Sequence, residues 1–307
     1  MKLIELITAQ AARLKQAGVS FGHGTTNAFD EAAWLVLWSV GLDMGALEFQ
    51  AQRVLTLDEV AKAEALIAQR IESRKPAAYL TKEAWLQNVP FYVDERSIVP
   101  RSFIAELLAD GENTGELDTW LSDKTHRVLD LCTGNGSLAV IACMAYPEVM
   151  VDAADVSADA LAVAAVNVEK HDLGERITLM QSDLLNNVTG LYDLIVCNPP
   201  YVNAQSMAAL PPEYKFEPSM ALAGGEDGMD LVRRIIQDAP AKLSDVGVLL
   251  LEIGNERAHF EHAFRKLEVV WLETSAGDDQ VLLATKEALL RWNASAKKAS
   301  QIQGSKT

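Results

Sequence analysis

The chain has 307 residues, of which 49% are hydrophobic and 23% are charged, a composition that excludes disorder over most of its length and fits one large domain plus a smaller one. Its formal net charge of -16 disfavours direct nucleic-acid binding, which relies on Lys and Arg to neutralise phosphates, and it favours a basic protein partner. No apolar run reaches the roughly 20 residues of a membrane span, and the three cysteines lack metal or disulfide spacing, so we expect a cytoplasmic chain with buried free thiols.

Helical periodicity dominates residues 1–75, where apolar side chains such as Leu3, Ile4 and Ile7 recur every three to four positions. A segment rich in Gly and Thr, residues 19–27, interrupts this pattern and predicts a loop between helices. A simple connector is the favoured interpretation of that loop, with a contact surface as the alternative. We therefore predict a small helical domain over residues 1–75.

Strand-forming residues replace the helical pattern between residues 76 and 101. Trp85, Phe91 and Tyr92 are among them, and a break at Gln87-Asn88 separates two short runs. The segment 76–101 therefore predicts a β-hairpin linker.

Strands and helices alternate from about residue 126, which is typical of an open, mainly parallel sheet covered on both faces. We predict seven strands, at 127–131, 149–154, 177–181, 192–197, 247–253, 269–274 and 280–285. The clearest helices are predicted at 158–170 and 229–243. Residues 102–290 are thus expected to form an α/β, Rossmann-like domain. Because the apolar content collapses beyond Leu290, residues 291–307 are predicted to be disordered.

A glycine-rich turn follows the first predicted strand of this domain. It contains Gly134 and Gly136, which let the backbone turn sharply and approach a ligand without a clashing Cβ. Residues 134–139 also match a dinucleotide fingerprint, so the pattern alone admits NAD. Asp130, four residues before the first glycine, favours a cofactor that carries a cationic amino group and no pyrophosphate.

Two further acids follow the next predicted strands. Asp155 lies about 20 residues beyond the glycine turn, where a carboxylate accepts hydrogen bonds from ribose hydroxyls, and this suits NAD and S-adenosylmethionine equally. Asp183 is expected to meet an adenine edge. The alternative for either acid is an exposed helix cap.

The sequence Asn198-Pro199-Pro200-Tyr201 follows an apolar strand, at the end of the sheet where open α/β sheets bind ligands. Two prolines donate no backbone hydrogen bonds and leave carbonyl acceptors in a rigid segment. The Asn198 side-chain oxygen and the Pro199 carbonyl would take the two hydrogens of a planar amide or amine nitrogen, and Tyr201 would pack against the flat group. The alternative is a plain turn that ends a buried strand.

These motifs, in this order, resemble the HemK-like (Prm) family of protein glutamine methyltransferases, and the resemblance covers nearly the whole chain. It implies a seven-stranded class I S-adenosylmethionine methyltransferase fold and a catalytic motif of Asn198, Pro199, Pro200 and Tyr201. It also implies that residues of the strand-end turns hold the cofactor, namely Asp130, Cys132, Thr133, Gly134, Gly136, Asp155, Val156, Asp183, Leu184 and Asn198. No metal is expected.

Flanking segments resemble one branch of that family more closely. The segments 21–32, 78–81, 91–96, 99–102 and 224–228 are similar to the branch that methylates a glutamine of the large-subunit ribosomal protein uL3. The resemblance implies a basic ribosomal protein as partner, recognised through the helical amino-terminal domain, with Arg101 and Glu217 either near the pocket or in ordinary salt bridges. Glutamine methylation of peptide-chain release factors and adenine-amine methylation of nucleic acid are the alternatives.

Overall fold

The structure, a computed structural model, describes residues 1–109, 116–121 and 125–304. The chain divides into two compact units. The first unit comprises Met1–Leu86, Pro90–Arg101 and Leu210–Pro218, and the second comprises Gln87–Val89, Ser102–Ala209 and Ser219–Thr307. The sequence predicts domains that are each one continuous segment. In the structure, residues 210–218 return to the first unit because Phe216 packs against its core.

Five α-helices form the described framework of the first unit. They are α1 (Leu3–Gln16), α2 (Ala28–Ser39), α3 (Ala46–Gln50), α4 (Leu57–Ser73) and α5 (Ala77–Thr81). The α2 helix begins where the Asn27 side chain accepts the backbone N–H groups of Phe29 and Asp30, and α4 begins at a capping box between Thr56 and Glu59. The buried faces of α1, α2 and α4 meet in one apolar core.

A two-stranded hairpin, β1 (Glu83–Leu86) and β2 (Val89–Tyr92), follows these helices. Its two turn residues, Gln87 and Asn88, have φ values of 49° and 60°. Positive φ at both central positions is the geometry of a tight hairpin turn that matches the twist of the flanking strands. The break predicted at Gln87-Asn88 is therefore this turn.

The second unit contains a seven-stranded sheet within its described residues. The strands are β3 (Arg127–Leu131), β4 (Met150–Asp155), β5 (Ile177–Gln181), β6 (Tyr192–Cys197), β7 (Leu243–Glu252), β8 (Val270–Thr274) and β9 (Gly277–Thr285). Their order is β5-β4-β3-β6-β7-β9-β8, parallel except that β9 runs antiparallel to both β7 and β8. The predicted seven-stranded, mainly parallel sheet is confirmed.

Helices connect the strands of this sheet. They are α6 (Ile104–Ala109), α7 (Ser137–Ala145), α8 (Ala158–Lys170), α9 (Ala204–Ala209), α10 (Asp230–Asp238), α11 (Arg257–Ala263) and α12 (Lys286–Gly304). The helix predicted at 229–243 is shorter than expected. It ends at Asp238, and a 3-10 turn, Ala239–Ala241, follows because Pro240 cannot continue the α-helical hydrogen bonding.

The α12 helix extends beyond Leu290, where the predicted tail begins. It runs through residues 291–304, which we expect from the sequence to be disordered, whereas residues 305–307 lie outside the described part. Ala, Lys and Gln are good helix formers even where apolar residues are scarce, and Leu289 anchors the helix in the core. The predicted disorder of the tail stays a prediction.

The described residues contain no helix that combines the length and apolarity of a membrane span. Within the same residues, no group of three or more His, Cys, Asp or Glu side chains is arranged to hold a metal ion. Cys132, Cys143 and Cys197 are free thiols.

Candidate active site

The predicted site segments leave the sheet side by side. In the strand register, Leu131 of β3 pairs with Ala154 of β4 on one side and with Cys197 of β6 on the other. The next residues along each chain segment are therefore Cys132, Asp155 and Asn198. From β3 the chain continues to β4 and β5 on one side and then crosses to β6 on the other side of β3. Open α/β sheets bind ligands at such a switch point, beside the carboxyl ends of the strands.

The glycine turn has the backbone conformation that the sequence predicts. Gly134 and Gly136 have φ values of 57° and 81°, and Cys132 also adopts a positive φ of 62°. A Cβ on Gly136 would lie 3.1 Å from Cβ of Ala164, so glycine lets the start of α7 approach α8 closely. The turn thus needs glycine for both conformation and packing.

Asp130 holds this turn in place through hydrogen bonds. It is fully buried, and its Oδ2 accepts the Ala139 N–H at 3.0 Å and the Thr133 hydroxyl. Its Oδ1 is buried and has no hydrogen-bond partner among the described residues. Burial raises the pKa of Asp130 to about 7.

A buried carboxylate oxygen without a hydrogen-bond donor is energetically unfavourable. A cationic donor forms the strongest hydrogen bond with such an oxygen. The amino group of S-adenosylmethionine is such a donor, so the residues present fit the cofactor that the sequence predicts. A pyrophosphate, being anionic, would be repelled by the ionised carboxylate.

Asp155 links the glycine turn to the next helix. Its Oδ2 accepts the Gly134 N–H and its Oδ1 accepts the Ser157 N–H, both at 2.9 Å. Burial raises the pKa of Asp155, although these N–H groups oppose the shift. The cap of α8 is Ser157, whose hydroxyl accepts the Ala160 N–H, so the helix-cap alternative does not describe Asp155.

Val156 and Asp183 are more exposed members of the same edge. Val156 is an apolar side chain that is 47% exposed directly after Asp155. Asp183 is half exposed and forms a 2.8 Å ion pair with Arg234 of α10, which lowers its pKa. Leu184 is buried with a φ of 50°. The adenine contact predicted for Asp183 and the cofactor-binding roles predicted for Val156 and Leu184 stay predictions.

The Asn-Pro-Pro-Tyr turn begins directly after β6. Asn198 and Tyr201 are half buried, while Pro199 and Pro200 are buried. The Tyr201 hydroxyl donates to Oε1 of Glu252 at 3.1 Å. The prolines leave their carbonyl oxygens as acceptors beside the Asn198 amide.

Three glycines that we did not assign to the site surround Tyr201. A Cβ on Gly224 would lie 2.6 Å from the Tyr201 Cα, and one on Gly254 would lie 2.5 Å from its ring. A Cβ on Gly228 would overlap the Tyr201 carbonyl oxygen. The segment 224–228, noted from the sequence only for its resemblance, is therefore glycine-rich because the backbone of Tyr201 passes against it.

Glu252 is a site residue that the sequence analysis missed. It ends the apolar strand β7 just as Asp130 and Asp155 lie at the ends of β3 and β4. An acid at the end of an apolar strand is the signal that would have identified it.

Arg101 and Glu217 belong to the first unit and form a buried ion pair there. Arg101 Nη1 and Nη2 donate to Glu217 Oε1 and Oε2 at 2.6 and 2.7 Å, and His23 Nε2 lies 3.5 Å from Oε2. Burial alone would raise the pKa of Glu217, but Arg101 and His23 lower it to about 2. Of the two roles considered from the sequence, salt bridging is the one seen.

The sheet order, the glycine turn and the strand-end acids define a class I, S-adenosylmethionine-dependent methyltransferase. In agreement, the family model described as "Methyltransferase small domain" matches residues 115–210, which contain both the glycine turn and the Asn-Pro-Pro-Tyr turn.

Curated relatives narrow the class further. Ribosomal protein uL3 glutamine methyltransferases are 53% identical over 291 residues in Bordetella pertussis (94% of this chain, 96% of the relative) and 52% identical over 289 residues in Burkholderia pseudomallei (91% and 92%). The protein of that name from Neisseria gonorrhoeae is 47% identical over 288 residues (93% and 95%). The chain belongs to the family of ribosomal protein uL3 glutamine methyltransferases.

Proposed function

We propose that this protein transfers a methyl group from S-adenosylmethionine to the side-chain nitrogen of a glutamine on ribosomal protein uL3. The observation that carries the proposal is the strand register, in which Cys197 pairs with Leu131. Because of this register, the glycine turn and the Asn-Pro-Pro-Tyr turn begin side by side at the carboxyl ends of the neighbouring strands β3 and β6. The segments that would hold the cofactor and the amide are thereby adjacent.

Asp130, Asp155 and the glycine turn would hold the cofactor. The free Oδ1 of Asp130 matches an amino group, and the carboxylate of Asp155 retains acceptor capacity for ribose hydroxyls. Bound S-adenosylmethionine supplies an electrophilic methyl group whose leaving group is a neutral thioether. Thr133 and Gly136 contribute by fixing the backbone of the turn, since the Gly136 N–H donates to the Thr133 carbonyl at 2.9 Å.

The reacting nitrogen is a poor nucleophile because its lone pair is delocalised into the carbonyl group. Asn198 Oδ1 and the Pro199 carbonyl oxygen would each accept one amide hydrogen, which orients the nitrogen for in-line attack. The N–C bond forms as the S–C bond of the cofactor breaks, and the nitrogen loses one of its two protons to solvent. Catalysis here is mainly positioning, a contribution that reaches about 7 kcal/mol or more in well-oriented systems. Tyr201 would pack against the planar amide.

A protein substrate fits the charge of the chain better than a nucleic acid does. The net charge of -16 speeds encounter with a basic ribosomal protein and repels phosphates. We place the reaction in the cytoplasm, where the substrate is free before assembly into the ribosome.

Label transfer from methyl-labelled S-adenosylmethionine tests the proposal. Purified uL3, a release factor and DNA are offered separately and then together at equal concentration. We expect label in uL3 under both conditions. Label that goes only to the release factor or only to DNA would assign the chemistry to one of the alternative substrates.

A further inference from the structure

Glu252 lies directly beside the reacting turn. In the register of β6 and β7, Cys197 pairs with Leu251, so Glu252 and Asn198 are the next residues on neighbouring strands. The side chain is only 2% exposed. No step of the proposed reaction uses this carboxylate.

The contacts of Glu252 connect two separate segments of the second unit. Its Oε1 accepts the Tyr201 hydroxyl at 3.1 Å, while its Oε2 accepts the Ser102 hydroxyl at 2.6 Å and the Phe103 N–H at 2.9 Å. All three donors are neutral. Burying a carboxylate without a cation is costly unless several hydrogen bonds compensate, and burial accordingly raises the pKa of Glu252.

The ring and the backbone of Tyr201 are both closely packed against glycines. Its ring packs on Gly254, and its backbone passes between Gly224 and Gly228. The neighbouring Val202 exchanges backbone hydrogen bonds with Leu222 and Gly224, at 2.9 Å each. Glu252 adds to this packing a hydrogen bond that fixes the direction of the Tyr201 hydroxyl.

We propose that Glu252 is a positioning residue that holds Tyr201, and through it the Asn-Pro-Pro-Tyr turn, in the orientation required for methyl transfer. The proposal rests on the proposed function for its kinetic consequence, whereas the orientation of Tyr201 is measurable without any substrate. Glu252 acts through Tyr201 and does not touch the reacting nitrogen.

Glu252→Gln is the informative variant because the amide keeps one oxygen acceptor for Ser102 and Phe103. The control is Asp193→Asn at the opposite end of β6. Asp193 accepts the Ser244 hydroxyl at 2.7 Å and the backbone N–H groups of His126 and Arg127 at 3.0 and 3.1 Å, a similar set of donors. Both variants lose one carboxylate among neutral donors.

The kinetic test measures kcat, KM for the protein substrate and cofactor Kd for both variants, Tyr201→Phe and the double variant. We expect Glu252→Gln to lower kcat about tenfold, the equivalent of one hydrogen bond, with cofactor Kd unchanged. Tyr201→Phe should have a similar effect, and the double variant should show no further loss. Asp193→Asn should leave kcat unchanged even if it lowers Tm.

The orientation test replaces tyrosine by 3-fluorotyrosine in the full chain and assigns the Tyr201 fluorine resonance by its absence in Tyr201→Phe. Glu252→Gln should shift or broaden that resonance, and Asp193→Asn should not. An unchanged resonance, or additive kinetic losses in the double variant, would overturn the proposal. If the wild-type protein does not methylate uL3, the proposed function fails, while the fluorine resonance still decides the role of Glu252.

Discussion

Two buried acids, one in each compact unit, have opposite surroundings. Glu217 in the first unit has both oxygens paired with Arg101, and its pKa is about 2. Asp130 in the second unit contacts only neutral donors through one oxygen, and its pKa is about 7. An acid paired with arginine completes a structural contact, whereas one with an unmatched oxygen is available to a cationic ligand.

The difference in hydrogen-bond partners extends to other buried acids, although burial outweighs Arg70 and raises the pKa of Glu31. Arg70 in the first unit donates to Glu31 at 2.8 Å, and both side chains are buried. In the second unit, Glu252 and Asp155 accept from hydroxyl and backbone N–H groups. Glu217 and Glu31 of the first unit are thus paired with arginines, whereas Asp130, Asp155 and Glu252 of the second unit accept from neutral donors.

The largest expected effect is the loss of protein stability when the Arg101–Glu217 ion pair of the first unit is broken. Arg101→Met leaves Glu217 buried without its guanidinium, which should destabilise the protein by about 3 kcal/mol, the low end for a buried pair because Arg101 is a quarter exposed. Urea denaturation of the full chain measures the loss. Cofactor Kd of the folded variant should be unchanged.

Arg101→Met/Glu217→Gln is the matched control. Removal of both charges should recover part of the lost stability, because no unpaired buried charge remains. If the single variant is as stable as the wild-type protein, the ion pair is not the structural contact that we describe.

The next effect concerns Asp130. Asp130→Asn keeps the shape of the side chain but removes the charge, and we expect cofactor Kd to rise about 30-fold, or about 2 kcal/mol, because a buried cation loses its partner. Isothermal titration calorimetry measures it. The neutral amide of this variant avoids burying a charge, so the stability of the unliganded protein at pH 8 should not fall. Equal cofactor Kd values for the variant and the wild-type protein would contradict the role assigned to Asp130.

The last effect is a pair of opposite pH dependences. Glu217 has a folded pKa of about 2, below its ordinary 4.5, so it stabilises the protein above pH 4.5 and this contribution is lost as pH falls toward 2. Asp130 has a folded pKa of about 7, above its ordinary 3.8, so its ionisation removes stability as pH rises from 3.8 to 7. Cofactor affinity should rise over that same upper range.

Calorimetric titrations at pH 6, 7 and 8 check the cofactor dependence: affinity should rise roughly fivefold from pH 6 to 7 and roughly twofold from pH 7 to 8, following the ionised fraction of Asp130. Asp130→Asn should abolish it. Glu217→Gln should remove the acid-side loss of Tm and leave the cofactor dependence intact. A cofactor affinity that is flat with pH in the wild-type protein would mean that Asp130 does not contact the cation.

Much of the sheet could be predicted because each strand is an apolar run that stops at a turn residue. The bounds of β3, β5 and β6 agree with the predicted 127–131, 177–181 and 192–197. The return of residues 210–218 to the first unit has no local signal at all.

The candidate site divides in the same way. Asp130, Asp155 and Asn198 could be assigned because each lies in a motif with its own spacing. Glu252 has only the weaker signal of an acid at the end of an apolar strand, and its contacts with Tyr201 and Ser102, 51 and 150 residues away in the sequence, could not be predicted. Only the sheet order brings them together, and that order is a property of the whole fold.

The most direct test of the central claim is to locate the methyl group on uL3 by tandem mass spectrometry after reaction with the wild-type protein and with Asn198→Ala. We predict one methyl group on a glutamine side chain with the wild-type protein, and a loss of about 100-fold or more in rate with Asn198→Ala while cofactor Kd stays nearly constant. A methyl group on any other residue type, or equal transfer by the variant, would contradict the account.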